Sequence, residues 1–126
     1  MKKEVLAVLF IMPLMISCVA QTTAAKGSYI RLIPNSVSSS ANKANESEIE
    51  IYYEKKPEYQ YIEIGIVEAI AYGEEAGLKE VFEELKKQTA LVGGTAVYKI
   101  EIQRYNQTKD AIHATGIAVI ENKLMN

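Results

Sequence analysis

A chain of 126 residues, 48% hydrophobic and 24% charged, leaves room for one folded unit of roughly 80 to 100 residues once an export signal and a linker are set aside. Taking Lys2, Lys3 and Glu4 out of the formal charge of −2 leaves 12 basic and 15 acidic residues from position 18 onward, a balance of −3. That balance argues against a nucleic-acid partner, because the one basic pair of interest, Lys86-Lys87, follows a Glu-rich helical face.

The first residues read as an export signal. Lys2-Lys3 form a basic start and Val5 to Ile16 an apolar run, which Pro13 interrupts. The run is shorter than the about 20 apolar residues that cross a bilayer as a helix. It ends in Met15-Ile16-Ser17-Cys18, with an apolar residue at −3, a small residue at −1 and then cysteine. This segment resembles the lipobox of bacterial lipoproteins. The resemblance implies cleavage after residue 17 and lipid on Cys18: a diacylglyceryl group on sulfur and an acyl chain such as palmitate on the new amine. Two or more chains anchor stably where one binds marginally. The lone cysteine has no partner for an internal disulfide, which agrees with that use. Val19 in place of Asp after the cysteine points to the outer membrane, facing the periplasm.

From Val19 to about Ser47 the chain turns to Ala, Ser, Thr and Asn. Residues 18–47 therefore read as lipidated cysteine and flexible tether, with one short strand conceivable over Tyr29 to Ile33 before Pro34. A tether of about 25 flexible residues has a root-mean-square reach on the order of 25 to 30 Å.

The folded domain is expected over 48–126. Glu48 to Tyr53 alternates polar and apolar residues as a half-buried strand does, and Lys55-Lys56-Pro57 ends it. Tyr59 to Ala71 reads as an interior strand, with Ile62, Ile64 and Ile66 on one face and Tyr61, Gly65, Val67 and Ala69 on the other. From Glu74 the period becomes helical. Leu78, Val81, Phe82, Leu85 and Val92 form an apolar stripe, Glu80, Glu83, Glu84, Lys86 and Lys87 a polar side, and Gly93-Gly94 a stop. Thr95 to Tyr105 and Ala111 to Ile120 read as a hairpin around a polar turn at Asn106 to Asp110. The expected fold is α+β: one amphipathic helix packed on a small mixed sheet of about four strands, preceded by signal peptide and tether.

Three segments carry a family resemblance: Tyr61-Ile62-Glu63-Ile64-Gly65-Ile66-Val67, Ala90-Leu91-Val92-Gly93-Gly94-Thr95-Ala96-Val97 and Ala114-Thr115-Gly116-Ile117-Ala118-Val119. In order and spacing they resemble the YbjQ-like domain, a family labelled as heavy-metal-binding, and the related domain of the Rcs envelope-stress lipoprotein. The resemblance covers roughly residues 48 to 121. It implies a compact α+β fold, sometimes oligomeric, and a role in the cell envelope.

The metal label finds no ligand set in this sequence, since a structural zinc site takes about four ligands. Only His113, in an alternating strand, and the blocked Cys18 are on offer, so no metal or other cofactor is expected. Catalysis finds no support either. His113 has no nucleophile motif to serve, and Glu74-Glu75 and Glu83-Glu84 are neighbours on a helix, pointing about 100° apart. Gly93-Gly94 end a helix, whereas anions favour helix starts.

Aromatic residues crowd Tyr52, Tyr53, Tyr59, Tyr61 and Tyr72. The first three, Tyr52, Tyr53 and Tyr59, are the candidate partner surface, against the plainer reading of cross-strand tyrosine packing. Two functions remain in view: a lipid-anchored envelope module for protein interaction or stress sensing, and a self-assembling structural domain that binds a small ligand or ion between subunits.

Overall fold

The structure is a computed structural model that describes residues 24–33, 45–73, 76–105 and 111–125. The export signal, Cys18, Glu74-Glu75 and the expected turn at 106–110 lie outside the described residues. One helix packs on a five-stranded mixed sheet, the α+β architecture expected, with one strand more.

The strands are β1 (Ala24–Arg31), β2 (Glu50–Ile51), β3 (Tyr61–Tyr72), β4 (Ala96–Tyr105) and β5 (Ala111–Glu121). The helix α1 spans Leu78–Val92 between β3 and β4. Sheet order is β1-β3-β5-β4-β2, antiparallel throughout except where β2 runs parallel to β4. Short 3-10 turns occupy Glu46–Glu48 and Lys123–Met125.

The helix starts and stops on local chemistry. At its entry the Glu80 carboxylate accepts the Gly77 N–H at 3.0 Å, which satisfies one orphan donor and places negative charge near the positive end of the dipole. At its exit Gly93 takes the left-handed conformation (φ 92°), and Gly94 N–H donates to the Thr89 carbonyl at 2.9 Å. Val81, Leu85 and Val92 then press onto Ile64, Val67, Ala69 and Ala71 of β3, Val97 and Ile100 of β4, and Ile112, Ala114 and Ala118 of β5.

The N-terminal boundary needs correction. Residues 24–31 are not part of a tether: they pair with β3 from Ala24↔Tyr72 to Arg31↔Gly65 and form one edge of the sheet. The backbone ladder decides this where the side chains do not, since β1 is almost wholly exposed. Pairing continues past the strand, with Leu32 N–H donating to the Ile64 carbonyl at 2.9 Å. Arg31 also reaches the Val92 carbonyl at 3.3 Å, a cation on the last turn of the helix.

Adding β1 changes what the helix buries. Glu84, expected on the solvated side, is only 9% exposed, and it accepts a hydrogen bond from Gln88 Nε2 at 2.8 Å. Gly27 of β1 runs so close that a Cβ there would lie 2.5 Å from Gln88 Cγ. An edge strand under this flank widens the covered arc beyond the apolar stripe.

Two strands differ from expectation in detail. Most of the Glu48 to Tyr53 run is not strand; a 3-10 turn precedes the two-residue β2. In β3 the register shifts between Glu63 and Gly65, a bulge that turns Ile64 into the core (2% exposed) on the same side as Val67. Ile66, expected beside Ile64, faces the other way and is 41% exposed.

Candidate functional site

The helix covers one face of the sheet, and the opposite face is where side chains are left for function. Period-two alternation puts Ile112, Ala114, Gly116 and Ala118 of β5 under the helix. His113, Thr115, Ile117 and Val119 therefore point to the open face. The register extends this across the sheet: Ile30 pairs with Ile66, Ile66 with Ile117, and Ile117 with Tyr98. These four residues make an apolar row over four strands, with Ile30 65% exposed at its edge.

At the β4 end of that row the open face carries a tyrosine and carboxylate cluster. Ala96, Tyr98 and Val119 form a small buried group, against which Tyr52, Tyr61 and Ile117 pack. The segment between β2 and β3 is tied at both ends, by Tyr52 N–H to the Val97 carbonyl at 2.9 Å and by Asn122 N–H to the Gln60 carbonyl at 2.8 Å. It lays Tyr52 and Tyr59 edge to face, ring centroids 6.5 Å apart and planes at 80°. Tyr61 and Tyr98 meet at 5.2 Å and 60°.

Two carboxylates complete the cluster. The Tyr98 hydroxyl donates to Glu63, and the Tyr52 hydroxyl donates to Glu50. Each bond stabilises the neutral phenol beside a carboxylate, so the Tyr52 and Tyr98 hydroxyls are both held well above the ordinary tyrosine range. Desolvation adds to both. Tyr59 is raised as well, chiefly by burial and then by the charge of Glu50. Lys99, at the rim, places its ammonium 5.9 Å from the Tyr98 ring centroid. Its backbone takes a positive φ of 50° where the β4 register shifts between Tyr98 and Glu101.

Of the three tyrosines expected to act together, the structure unites only two. Tyr52 and Tyr59 sit in the cluster, whereas Tyr53 turns to the helix side and meets Phe82 at 6.0 Å. Consecutive extended residues point to opposite faces, which separates Tyr52 from Tyr53. Tyr61, Tyr98, Glu50 and Glu63 were not singled out as a group. The alternation of Tyr61 with Glu63 was visible in sequence, but its meeting with Tyr98 depends on the register of β5 between them.

At the far end of the same face His113 Nε2 lies 3.5 Å from Glu68 Oε2, with Tyr105 tilted against its ring at 6.5 Å. Among the described residues no three of His, Cys, Asp or Glu come together as a metal site, and no helix is long and apolar enough to cross a membrane. Several depressions open to solvent lie among the described residues. One on the open face, about 180 Å³, is lined by Ile66, Thr115 and Ile117 with Lys99 and Glu101.

No protein-family model matches the sequence, and none of the curated proteins does. Among solved structures the chain is similar to the Francisella virulence factor FvfA in its orthorhombic crystal form. The two share 17% identity with a TM-score of 0.52, over 75% of this chain and 97% of that one. At that identity the likeness is one of fold.

Proposed function

We propose that this chain is a lipid-tethered protein of the bacterial cell envelope that works as a protein-interaction or stress-sensing module, with the open sheet face as its contact surface. The observation that carries the reading is the apolar row Ile30, Ile66 and Ile117 on the face opposite the helix, with Ile30 65% and Ile66 41% exposed and Tyr98 buried at its end. Exposed β-branched side chains rimmed by charge suit a protein partner better than a small substrate, which needs an enclosed pocket. The tether comes from Met15-Ile16-Ser17-Cys18. We also propose membership of the YbjQ-like family, whose three resembling segments fall on the adjacent strands β3, β4 and β5 and on the helix end that precedes β4.

The test has two readouts on protein expressed in a bacterial host with the lipoprotein pathway. Intact mass of the membrane-extracted chain is expected to begin at Cys18 with acyl groups added, and Cys18→Ser is expected to lose them. A photo-crosslinking residue at position 66 is expected to give discrete protein adducts that the same residue at position 87, on the outer helix surface, does not. An unlipidated chain, or adducts indifferent to position, would remove the basis of the reading.

A self-assembling domain is the second reading, favoured by the exposure of edge strand β1 along its length. Light scattering on the purified chain distinguishes the two, since a discrete oligomer is expected only for the second.

A further inference from the structure

We infer that the cluster of Tyr52, Tyr59, Tyr61 and Tyr98 with Glu50 and Glu63 is a receptor for a basic segment of a partner protein, taking a lysine or arginine side chain against the rings. This deepens, and rests on, the reading of the open face as a protein-contact surface.

A tyrosine has a single O–H donor. The protons of Tyr98 and Tyr52 are already committed to Glu63 and Glu50, while the Tyr59 oxygen acts as an acceptor toward Tyr52 and Thr95. What remains facing outward includes the uncommitted oxygens of the two exposed carboxylates, beside the hydroxyls of Tyr59 and Tyr61. Those carboxylate oxygens are matched by charged donors, which an ammonium or a guanidinium brings.

Charge points the same way. Glu50 and Glu63 are exposed, and Glu121 lies near enough to act electrostatically on Tyr59. An anionic ligand would be repelled here, and a purely apolar segment would strip water from the carboxylates without replacing it. The rings add their own preference, since the negative face of an aromatic ring attracts a cation. Lys99 over Tyr98 shows a cation of this chain already drawn to one ring at the rim. Tyr98 is 6% exposed, which leaves the half-buried Tyr52, Tyr59 and Tyr61 as the rings an incoming side chain can reach.

The site also lies at one end of the apolar row, so a partner segment with one basic residue beside apolar ones can engage both. Aromatic and carboxylate together discriminate in a way that neither does alone: the carboxylates select charge, and the rings select the weakly hydrated cations that tolerate burial.

The experiment uses the full chain purified from bacterial membranes in a non-ionic detergent. A fluorescein-labelled peptide of alternating Arg and Gly is titrated and its anisotropy followed, beside an uncharged Ser and Gly peptide of equal length. The chain is expected to bind the basic probe and ignore the neutral one. Glu50→Gln with Glu63→Gln, which keeps shape and hydrogen bonding, is expected to weaken binding at least about tenfold, equal to about 1.4 kcal/mol. Glu48→Gln with Glu83→Gln removes the same charge elsewhere and is expected to stay within about twofold. Tyr59→Leu is expected to weaken binding with both carboxylates present, and Tyr59→Phe to preserve it. No binding of the basic probe, or equal losses in the two double variants, overturns the inference. If position 66 still gives its specific adducts in that event, the contact-face reading stands and only the cationic partner falls.

Discussion

Gly116→Ala is a substitution whose sign is decided by packing against conformational preference. Gly116 lies on the helix side of β5, where a Cβ would sit 2.5 Å from Val97 Cγ2 and 3.4 Å from both Ile100 Cγ1 and the Tyr98 carbonyl. Carbon atoms pack at about 3.5 to 4.0 Å, so the new methyl intrudes on Val97 by about 1 Å. Val97 is fully buried, and a β-branched side chain has few alternative rotamers to retreat into. Overpacking of this kind costs about 1 to 3 kcal/mol. Replacing a mid-strand glycine by alanine returns about 0.5 to 1 kcal/mol through the unfolded chain. The expected net loss is about 1 to 2 kcal/mol, or a fall in Tm of about 5 to 15 °C for a domain of this size. Thermal and urea unfolding followed by far-UV circular dichroism measure it. Adding Val97→Ala removes the atom that clashes, so the double variant should be more stable than the sum of the singles by about 1 kcal/mol. An alanine variant as stable as the parent, or strict additivity, would refute the close approach of β4 and β5.

Two further predictions test other parts of the structure. A chain beginning at Glu46 lacks β1 and leaves the β3 edge unpaired; it is expected to melt at least about 10 °C below one beginning at Thr23 and to self-associate on size exclusion, and equal melting would show that β1 contributes nothing. Tyr98 holds its proton more tightly folded than unfolded, so its contribution is present below the unfolded pKa of about 10 and lost as pH rises through and beyond it. The stability advantage of wild type over Tyr98→Phe, measured by urea unfolding, is therefore expected to be full at pH 8 and to shrink above pH 10, and a constant gap would count against the Tyr98 to Glu63 bond.

What the sequence made legible was local. Gly93-Gly94 marked the helix end because a left-handed residue there is a property of a few neighbours, and the spacing of Val81, Leu85 and Val92 identified the buried stripe before its partners were known. β1 was read only as a short strand over Tyr29 to Ile33, because Ala24 to Arg31 has no apolar alternation of its own; it is a strand through pairing with β3, some 40 residues on. Glu84 was misjudged for a related cause, since the helix flank it shares with Gln88 runs beside β1. Ile64 and Ile66 were placed together because period-two counting cannot see a bulge. The tyrosine cluster lay between these cases. Tyr52 and Tyr59 were chosen from composition, but the register that adds Tyr61 and Tyr98, and the turn that sends Tyr53 to Phe82, arise from contacts distant in sequence.

The early start of β1 also fixes a distance. Five residues, Val19 to Thr23, separate Cys18 from Ala24, so six Cα steps span at most about 20 Å however the chain runs. Whatever holds position 18 holds the first strand of the sheet within that radius. With the proposed lipid on Cys18, that short leash would keep the domain beside the membrane surface. The 25 to 30 Å excursion expected of a 25-residue tether does not apply. Lengthening the 19–23 segment would then measure how far from the bilayer the proposed contact face works.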